Sequence, residues 1–228
     1  MAQKKDGDLS FFTCVDNKSH AANIYSSEAT VKKDIMSFSA TGSRPEPDAA
    51  DNVLIAAAQA GDEAALEMLF ERYRRPLYAF ISRMLNGDVM TADDIFQDMW
   101  IKVLNKLSAY QEDGKFAAWL FRIARNQVLE HFRREKSRAK IGRVTDDGEL
   151  PEPAPVCDSP VSALAVKELN ERLEVLLNEL PPEQKEVFIM RQNNLSFKEI
   201  AAIQKCPVNT ALGRMHNCLK FLRHKLSL

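Results

Sequence analysis

Three observations predict an all-α chain built from two small helical domains. Apolar residues recur every three or four positions through residues 51–140 and again through 161–228. No stretch alternates apolar and polar residues as a half-buried strand would. Helix punctuation falls at the ends of the periodic segments, with Asp, Ser, Thr or Pro opening them and Gly, Asn or Pro closing them. The same breaks place a flexible tail at residues 1–50 and a linker at residues 141–160.

Residues 1–50 mix Ser, Ala, Lys and Asp without sustained periodicity and end in SRPEPDAAD, where two prolines oppose any packed element. Asp51 is positioned to cap a first helix, VLIAAAQA, which Gly61 stops. Asp62 starts a longer second helix with Leu66, Leu69, Phe70, Tyr73, Leu77, Phe80, Ile81 and Met84 on one stripe, and Pro76 is expected to kink it. After the NGD turn at 86–88, Thr91 opens a third helix whose Ile95, Met99, Val103 and Leu107 repeat every four residues. Residues 116–134, FAAWLFRIARNQVLEHFRR, form the fourth.

This fourth helix carries the first functional signal. At about 100° per residue, Trp119, Arg122, Asn126 and Arg133 fall within roughly 60° of one another. Ala117, Leu120, Ala124, Val128 and Phe132 line another face. An unpaired base offers a flat π-surface and a hydrogen-bonding edge, and its backbone offers phosphates. A ring, an amide and two guanidinium groups on one face therefore suit single-stranded DNA. A Trp on a cationic amphipathic helix is also commonly a half-buried core residue flanked by solvated charges, so the segment alone leaves both readings open.

The linker holds four prolines, and residues 144–164 carry five acidic and no basic side chains, a composition that keeps a chain extended. Twenty residues at about 3.1 Å each in such a chain reach roughly 60 Å. Periodicity resumes at Val161, Leu164, Leu169, Leu173, Leu176 and Leu180, and Pro181 ends it. Pro182, at a first helical position, and Glu183 start another helix. Ser196-Phe-Lys-Glu199 has the spacing of a capping box and opens the short helix FKEIAAIQ. Lys205-Cys206 makes a turn, and Pro207, suited to the first helical position, opens the last helix. There Val208, Ala211, Met215, Cys218, Leu219 and Leu222 are expected to pack inward. Asn209, Thr210, Gly213, Arg214, His216, Asn217, Lys220 and Arg223 are expected to face out. Two short helices about a tight turn, the second rich in bases and amides, fit a helix-turn-helix whose second helix enters the major groove.

Charge is unevenly spread even though 31 basic and 32 acidic residues almost cancel. Residues 51–110 hold nine acidic and six basic side chains, residues 111–143 four and nine, and no acidic residue follows Glu199. Two basic stretches separated by an acidic spacer suggest two contacts on one polyanion. No apolar run approaches the 18 or so residues that span a bilayer and the start of the chain lacks a signal-peptide core, so a cytoplasmic location without membrane insertion is expected. Cys14, Cys157, Cys206 and Cys218 form no C-x-x-C, which indicates neither a disulfide framework nor a zinc ribbon. Cys206, His216 and Cys218 are imaginable metal ligands, but Cys218 fits the packed face of its helix, so neither metal nor cofactor is expected. There is no Gly-rich phosphate loop and no paired catalytic constellation, which argues against an enzyme such as a nuclease or recombinase.

Four segments together resemble the bacterial sigma factors, specifically the compact extracytoplasmic-function group of the sigma-70 family. They are DDIFQDMWIKV (93–103), FAAWLFRIARNQVLEHFRR (116–134), LPPEQKEVFIMR (180–191) and LSFKEIAAI (195–203). The resemblance covers about residues 51–140 and 161–228 and implies a promoter-specificity subunit of RNA polymerase. It implies that Asp94, Gln97 and Asp98 dock on a coiled coil of the large catalytic subunit of core polymerase. By the same likeness, the loop from Tyr110 to Lys115 with Trp119, Arg122, Asn126 and Arg133 melts and captures the promoter element about ten base pairs upstream of the start. The last helix, from Pro207 through Asn209, Thr210, Leu212, Gly213, Arg214, His216, Asn217 and Lys220, reads the element about thirty-five base pairs upstream.

Many members carry a basic residue at the position of Leu212, a serine at Gly213 and an arginine at Asn217, so this reader helix is poorer in cations than the family pattern. Whether Leu212 faces DNA or belongs to the packed stripe four residues after Val208 is open at this level. Family members are commonly held by an anti-sigma factor, which adds a third candidate partner to core polymerase and promoter DNA. The rival reading is a stand-alone helix-turn-helix regulator. It accounts for residues 195–228 and leaves the fourth helix and the DDIFQD surface without a purpose.

Overall fold

The computed structural model describes residues 49–111, 113–141 and 161–226; the tail at 1–48 and the linker at 142–160 lie outside them. Eight helices follow in order among the described residues: α1 Asp51–Gln59, α2 Glu63–Met84, α3 Val89–Leu107, α4 Phe116–Ile141, α5 Val161–Asn178, α6 Pro182–Gln192, α7 Phe197–Gln204 and α8 Val208–Leu226. No strand occurs among them. The all-α expectation holds, and α1–α4 and α5–α8 form two halves.

Three helix starts have the chemistry that the sequence indicates. The Asp62 carboxylate accepts from the backbone N–H groups of Ala64 and Ala65, satisfying two donors that have no partner inside α2. At α7 the capping box is complete: the Glu199 N–H donates to the Ser196 hydroxyl, and the Ser196 N–H donates to the Glu199 carboxylate at 2.8 Å. Pro182 opens α6 at its first turn with Glu183 beside it.

Three boundaries differ from expectation. Asp51 does not cap α1; Ala50 precedes the helix without a side-chain cap, and the Asp51 carboxylate instead accepts from Arg72 at 2.5 Å and from the Tyr73 hydroxyl. Helix α3 begins at Val89 rather than Thr91, because Asp88 is its cap and accepts from both the backbone N–H and the hydroxyl of Thr91. Pro207 lies just before α8, its carbonyl accepting from Thr210 and Ala211. Helix α2 runs as one element through Pro76.

The first half is held by an aromatic core. Phe70 lies 4.9 Å from Trp100 and Phe96 5.5 Å from Tyr78, centroid to centroid, while Phe80 meets Phe121 edge to face at 5.4 Å. Around these rings Ile95, Met99, Val103 and Leu107 of α3 and Leu120, Ala124 and Val128 of α4 are buried as their spacing predicts. Phe132 is the exception, 44% exposed, because α4 has by then run past its neighbours. The second half is mainly aliphatic, with Val187, Ile189, Met190, Ile200, Ala211, Met215, Cys218 and Leu222 buried.

The two halves touch, and their apolar cores join in one cluster. Polar contacts frame the seam. Arg83 of α2 grips Glu174 of α5 with Nε at 2.8 Å and Nη2 at 2.6 Å. The Arg125 Nε of α4 donates to Glu186 of α6 at 2.8 Å, with only 13% and 3% of the two side chains exposed. Buried Lys185 of α6 donates to Asn86 of the α2–α3 turn at 2.9 Å and to Asn178 at 2.6 Å. Burial, with Arg83 nearby, pushes the Lys185 ammonium down to about 8, while Glu174 resists the fall.

Candidate nucleic-acid interface

Helix α4 separates its two faces cleanly. Leu120, Phe121, Ile123 and Ala124 point into the core, and Arg122, Asn126 and Arg133 are exposed. Trp119 sits at their N-terminal end, half-buried, with the Phe116 ring stacked at 5.5 Å and the Tyr110 ring at 4.8 Å. Tyr73 closes the group from α2, edge-on to Phe116 at 5.5 Å. Trp119 is thus part of an aromatic floor rather than an isolated platform.

The preceding loop is anchored at its start. The Gln59 side chain donates to the carbonyls of Leu107 and Tyr110 at 2.9 and 2.7 Å. Gly114 takes the left-handed conformation, φ +74°, that turns the chain into α4. Lys115 pairs with Asp113 at 2.6 Å on the surface, which raises the lysine and lowers the aspartate from their ordinary values. A shallow depression lined by Asp51, Asn52, Gly114, Phe116 and Ala117 lies alongside. Further along α4, Arg134 pairs with Glu130 and Arg138 with Glu135. The exposed guanidinium groups of Arg122 and Arg133 therefore dominate the face around Asn126.

On α3, Asp94 and Asp98 are exposed and Gln97 half-buried, all turned away from the buried stripe. The neighbouring Asp93 has a different job, accepting from the Tyr78 hydroxyl at 2.8 Å; burial first, and then this bond and charge, raise that phenol. Met90 and Ile101, one turn before Asp94 and one after Gln97, are 82% and 50% exposed on the same side. Sequence reasoning passed over both. Their signal was available: two apolar residues off the four-residue stripe of an otherwise regular helix.

The α7–α8 pair departs from expectation at Val208 and Arg214, and it decides the open placement of Leu212. Val208, expected inside, is 40% exposed, in a first turn where Pro207, Asn209 and Thr210 are exposed as well. Leu212 is 43% exposed, which settles its place on the outer face. Arg214, expected to face out, turns back: its Nη1 donates to Gln204 at 2.7 Å and lies 3.6 Å from the Cys206 sulfur. Gln204 in turn donates to Glu186 at 2.7 Å, so Arg214 closes a buried chain that runs through Gln204 and Glu186 to Arg125. These partners lie 10 to 61 residues apart in sequence, beyond the reach of any local pattern. The remaining outer residues fall where expected: Pro207, Asn209, Thr210, Gly213, His216, Asn217 and Lys220 are exposed. Lys205 makes the turn in the left-handed region at φ 54°. Cys218 is fully buried and its thiol is pushed up to about 12 by that burial, so it points away from exposed His216.

No helix among the described residues is long and apolar enough to cross a membrane. Residues 69–138 match the family model for Sigma-70 region 2, and residues 170–222 match that for Sigma-70, region 4. The ECF RNA polymerase sigma-E factor of Escherichia coli is 28% identical over 182 residues, covering 77% of this chain and 94% of that protein. The RNA polymerase sigma-H factor of Pseudomonas aeruginosa is 28% identical over 170 residues, covering 72% and 88%. Among solved structures, the sigma factor RpoE in complex with the anti-sigma factor NepR from Bartonella quintana shares the fold with a TM-score of 0.57 at 22% identity, covering 72% of this chain and 97% of that one. CnrH in complex with the cytosolic domain of CnrY does so with 0.54 at 22% identity, covering 78% and 97%. Region 2 falls on α2–α4 and region 4 on α5–α8, in the family's order, and the chain belongs to the sigma-70 family of RNA polymerase sigma factors, in its extracytoplasmic-function group.

Proposed function

We propose that this chain binds core RNA polymerase and directs promoter-specific initiation by recognising and melting promoter DNA. The observation that carries this is the presence of regions 2 and 4 in one chain with two chemically distinct outer faces: acidic and amide-bearing on α3, cationic on α4. A stand-alone regulator would need only α7 and α8.

Residues 51–140 serve as the unit that holds polymerase and the element about ten base pairs upstream. Asp94, Gln97 and Asp98 meet a coiled coil of the large catalytic subunit. Tyr110, Lys115, Trp119, Arg122, Asn126 and Arg133 take the melted strand, where the cost of flipping a base, a few kcal/mol, is offset by the pocket that receives it. Residues 161–228 serve as the reader of the element about thirty-five base pairs upstream through α8. Residues 141–160 serve as the spacer between them. The solved structure of RpoE with the anti-sigma factor NepR supports an anti-sigma factor as a further partner for this chain.

This function imposes a motion. The two elements lie about 25 base pairs apart, roughly 85 Å along the duplex at about 3.4 Å per step. Helices α4 and α7 meanwhile touch, with Arg125 Nη1 donating to the Ile203 carbonyl. The halves must separate to occupy both elements, and a spacer reaching roughly 60 Å permits it.

Reconstitution with core polymerase and mapping of transcription starts tests the whole reading. Starts that depend on this chain, lost on replacing Asp94, Gln97 and Asp98 together by Ala without a change in melting temperature, are expected. Promoter binding without core polymerase, and unchanged core binding by the triple variant, would overturn it in favour of the regulator.

A further inference from the structure

The outer face of α8 holds two exposed aliphatic side chains where a DNA-reading helix ordinarily presents polar ones. Val208 and Leu212 stand one turn apart, 40% and 43% exposed, while the helix packs inward through Ala211, Met215, Cys218 and Leu222. Neither is needed for the core. Beside Leu212, Gly213 leaves a notch: a Cβ built there would meet nothing within 4 Å. Packing does not require that glycine, and its lack of a side chain lets a groove wall come close to the helix backbone. On the exposed sides of α8 and its turn the chemistry is cationic or amide, with Lys205, Asn209, Lys220 and Arg223 exposed and no acidic residue after Glu199. That charge commits the face to a polyanion rather than to another protein's apolar surface. In the major groove of duplex DNA the one apolar group on a base edge is the C5 methyl of thymine.

We propose that Val208 and Leu212 read thymine methyl groups in the upstream promoter element, making them specificity-determining residues of this chain. The proposal rests on the assignment of α8 to that element. Arg214 is excluded from the reading set because its guanidinium is held by Gln204 at the base of the turn. Burying a methyl group against an aliphatic side chain gives discrimination without a charge. A thymine is thereby favoured over a base that lacks the methyl by about threefold to fivefold per contact.

The test uses holoenzyme assembled with the full chain, on a promoter mapped through its start sites. Each thymine of the upstream element is replaced in turn by deoxyuridine, which lacks only the methyl group. The parent should lose about threefold to fivefold in affinity at one or two positions, and Leu212→Ala or Val208→Ala should bind the thymine and deoxyuridine duplexes equally there. Melting curves of both variants should match the parent, since both side chains are exposed. Indifference of the parent to every replacement, with the element still protected in footprints, overturns methyl reading and leaves α8 in place. Sensitivity that persists unchanged in both variants overturns it too, because another group then reads the methyl. Absence of protection at the upstream element, together with unaltered binding by Lys220→Ala, refutes the placement of α8 itself.

Discussion

Helices α4 and α8 both turn a polar face outward, yet their support and their charge differ. At the start of α4 Trp119, Phe116 and Tyr110 pack together with Tyr73 against Phe116, and further along the helix Arg122 and Arg133 are exposed. Beneath α8 the packing is aliphatic, and the arginine at its centre, Arg214, is spent inside the protein. An aromatic floor with fixed cations suits a base taken out of the stack and the backbone that follows it. A helix whose central arginine is held inward and which exposes two aliphatic residues suits edges read in an intact groove. On the proposed function, the difference divides grip and reading between the halves.

The largest effect that could break this division is on melting. Arg122→Ala combined with Asn126→Ala should lower open-complex formation about a hundredfold on a duplex promoter, on the scale of one to three kcal/mol for each group lost, with core binding unchanged. Permanganate reactivity of the melted thymines reports it. Equal reactivity in variant and parent would leave α4 an ordinary solvated helix. Asn209→Ala on α8 should weaken duplex binding and leave melting of the bound promoter as it was.

Next in size is the tie between the halves. Arg125→Ala leaves the Glu186 carboxylate 3% exposed without its cation, a loss of about 1 to 3 kcal/mol that is relieved when the halves part and water enters. The free chain should expand in small-angle scattering and bind a promoter more tightly in holoenzyme. An unchanged radius of gyration would show that the apolar contact alone holds the seam.

A smaller effect sharpens the charge contrast. Leu212→Arg with Asn217→Arg should steepen the slope of log affinity against log salt by about 0.9 for each phosphate engaged. The melting temperature should hold, since neither residue is buried. An unchanged slope would place both side chains away from the backbone.

The smallest concerns Lys185, at the seam. A lysine whose ammonium falls to about 8 from its ordinary 10.5 opposes folding while it is protonated, so stability should rise with pH above about 8. Cys218, raised from 9.0 to about 12, acts with the opposite sign, but only above pH 9. Urea melts at pH 8.0 and 9.0 should therefore show a gain of about 1 kcal/mol, absent in Lys185→Met.

What could be read from the sequence was what depends on near neighbours. The four-residue stripe of α3, the Asp62 cap and the box from Ser196 to Glu199 rest on contacts within a turn or two, and they stand as expected. Asp94, Gln97 and Asp98 were legible as polar residues with no place in the stripe. Arg214 was not, because the same arginine faces water or a buried amide according to what Gln204 and Glu186 do. Val208 was misplaced for a related reason: periodicity gives a direction around the helix but not whether another element covers its first turn. Asp51 failed as a cap because Arg72 and Tyr73, a further helix away, outcompete a backbone amide.

The bond from Arg214 to Gln204 bears on how paralogues of this chain diverge. The half-buried Arg214 and buried Gln204 at the elbow tie α8 to α7 without help from the exposed side chains of α8. Val208, Leu212, Gly213 and Asn217 are then free to change, one at a time, without disturbing folding or polymerase docking. On the proposed reading, duplicate chains in one cell would drift to separate promoters by exchanging only these four residues. An engineer seeking orthogonal transcription circuits would randomise the same four positions and leave Arg214 and Gln204 alone.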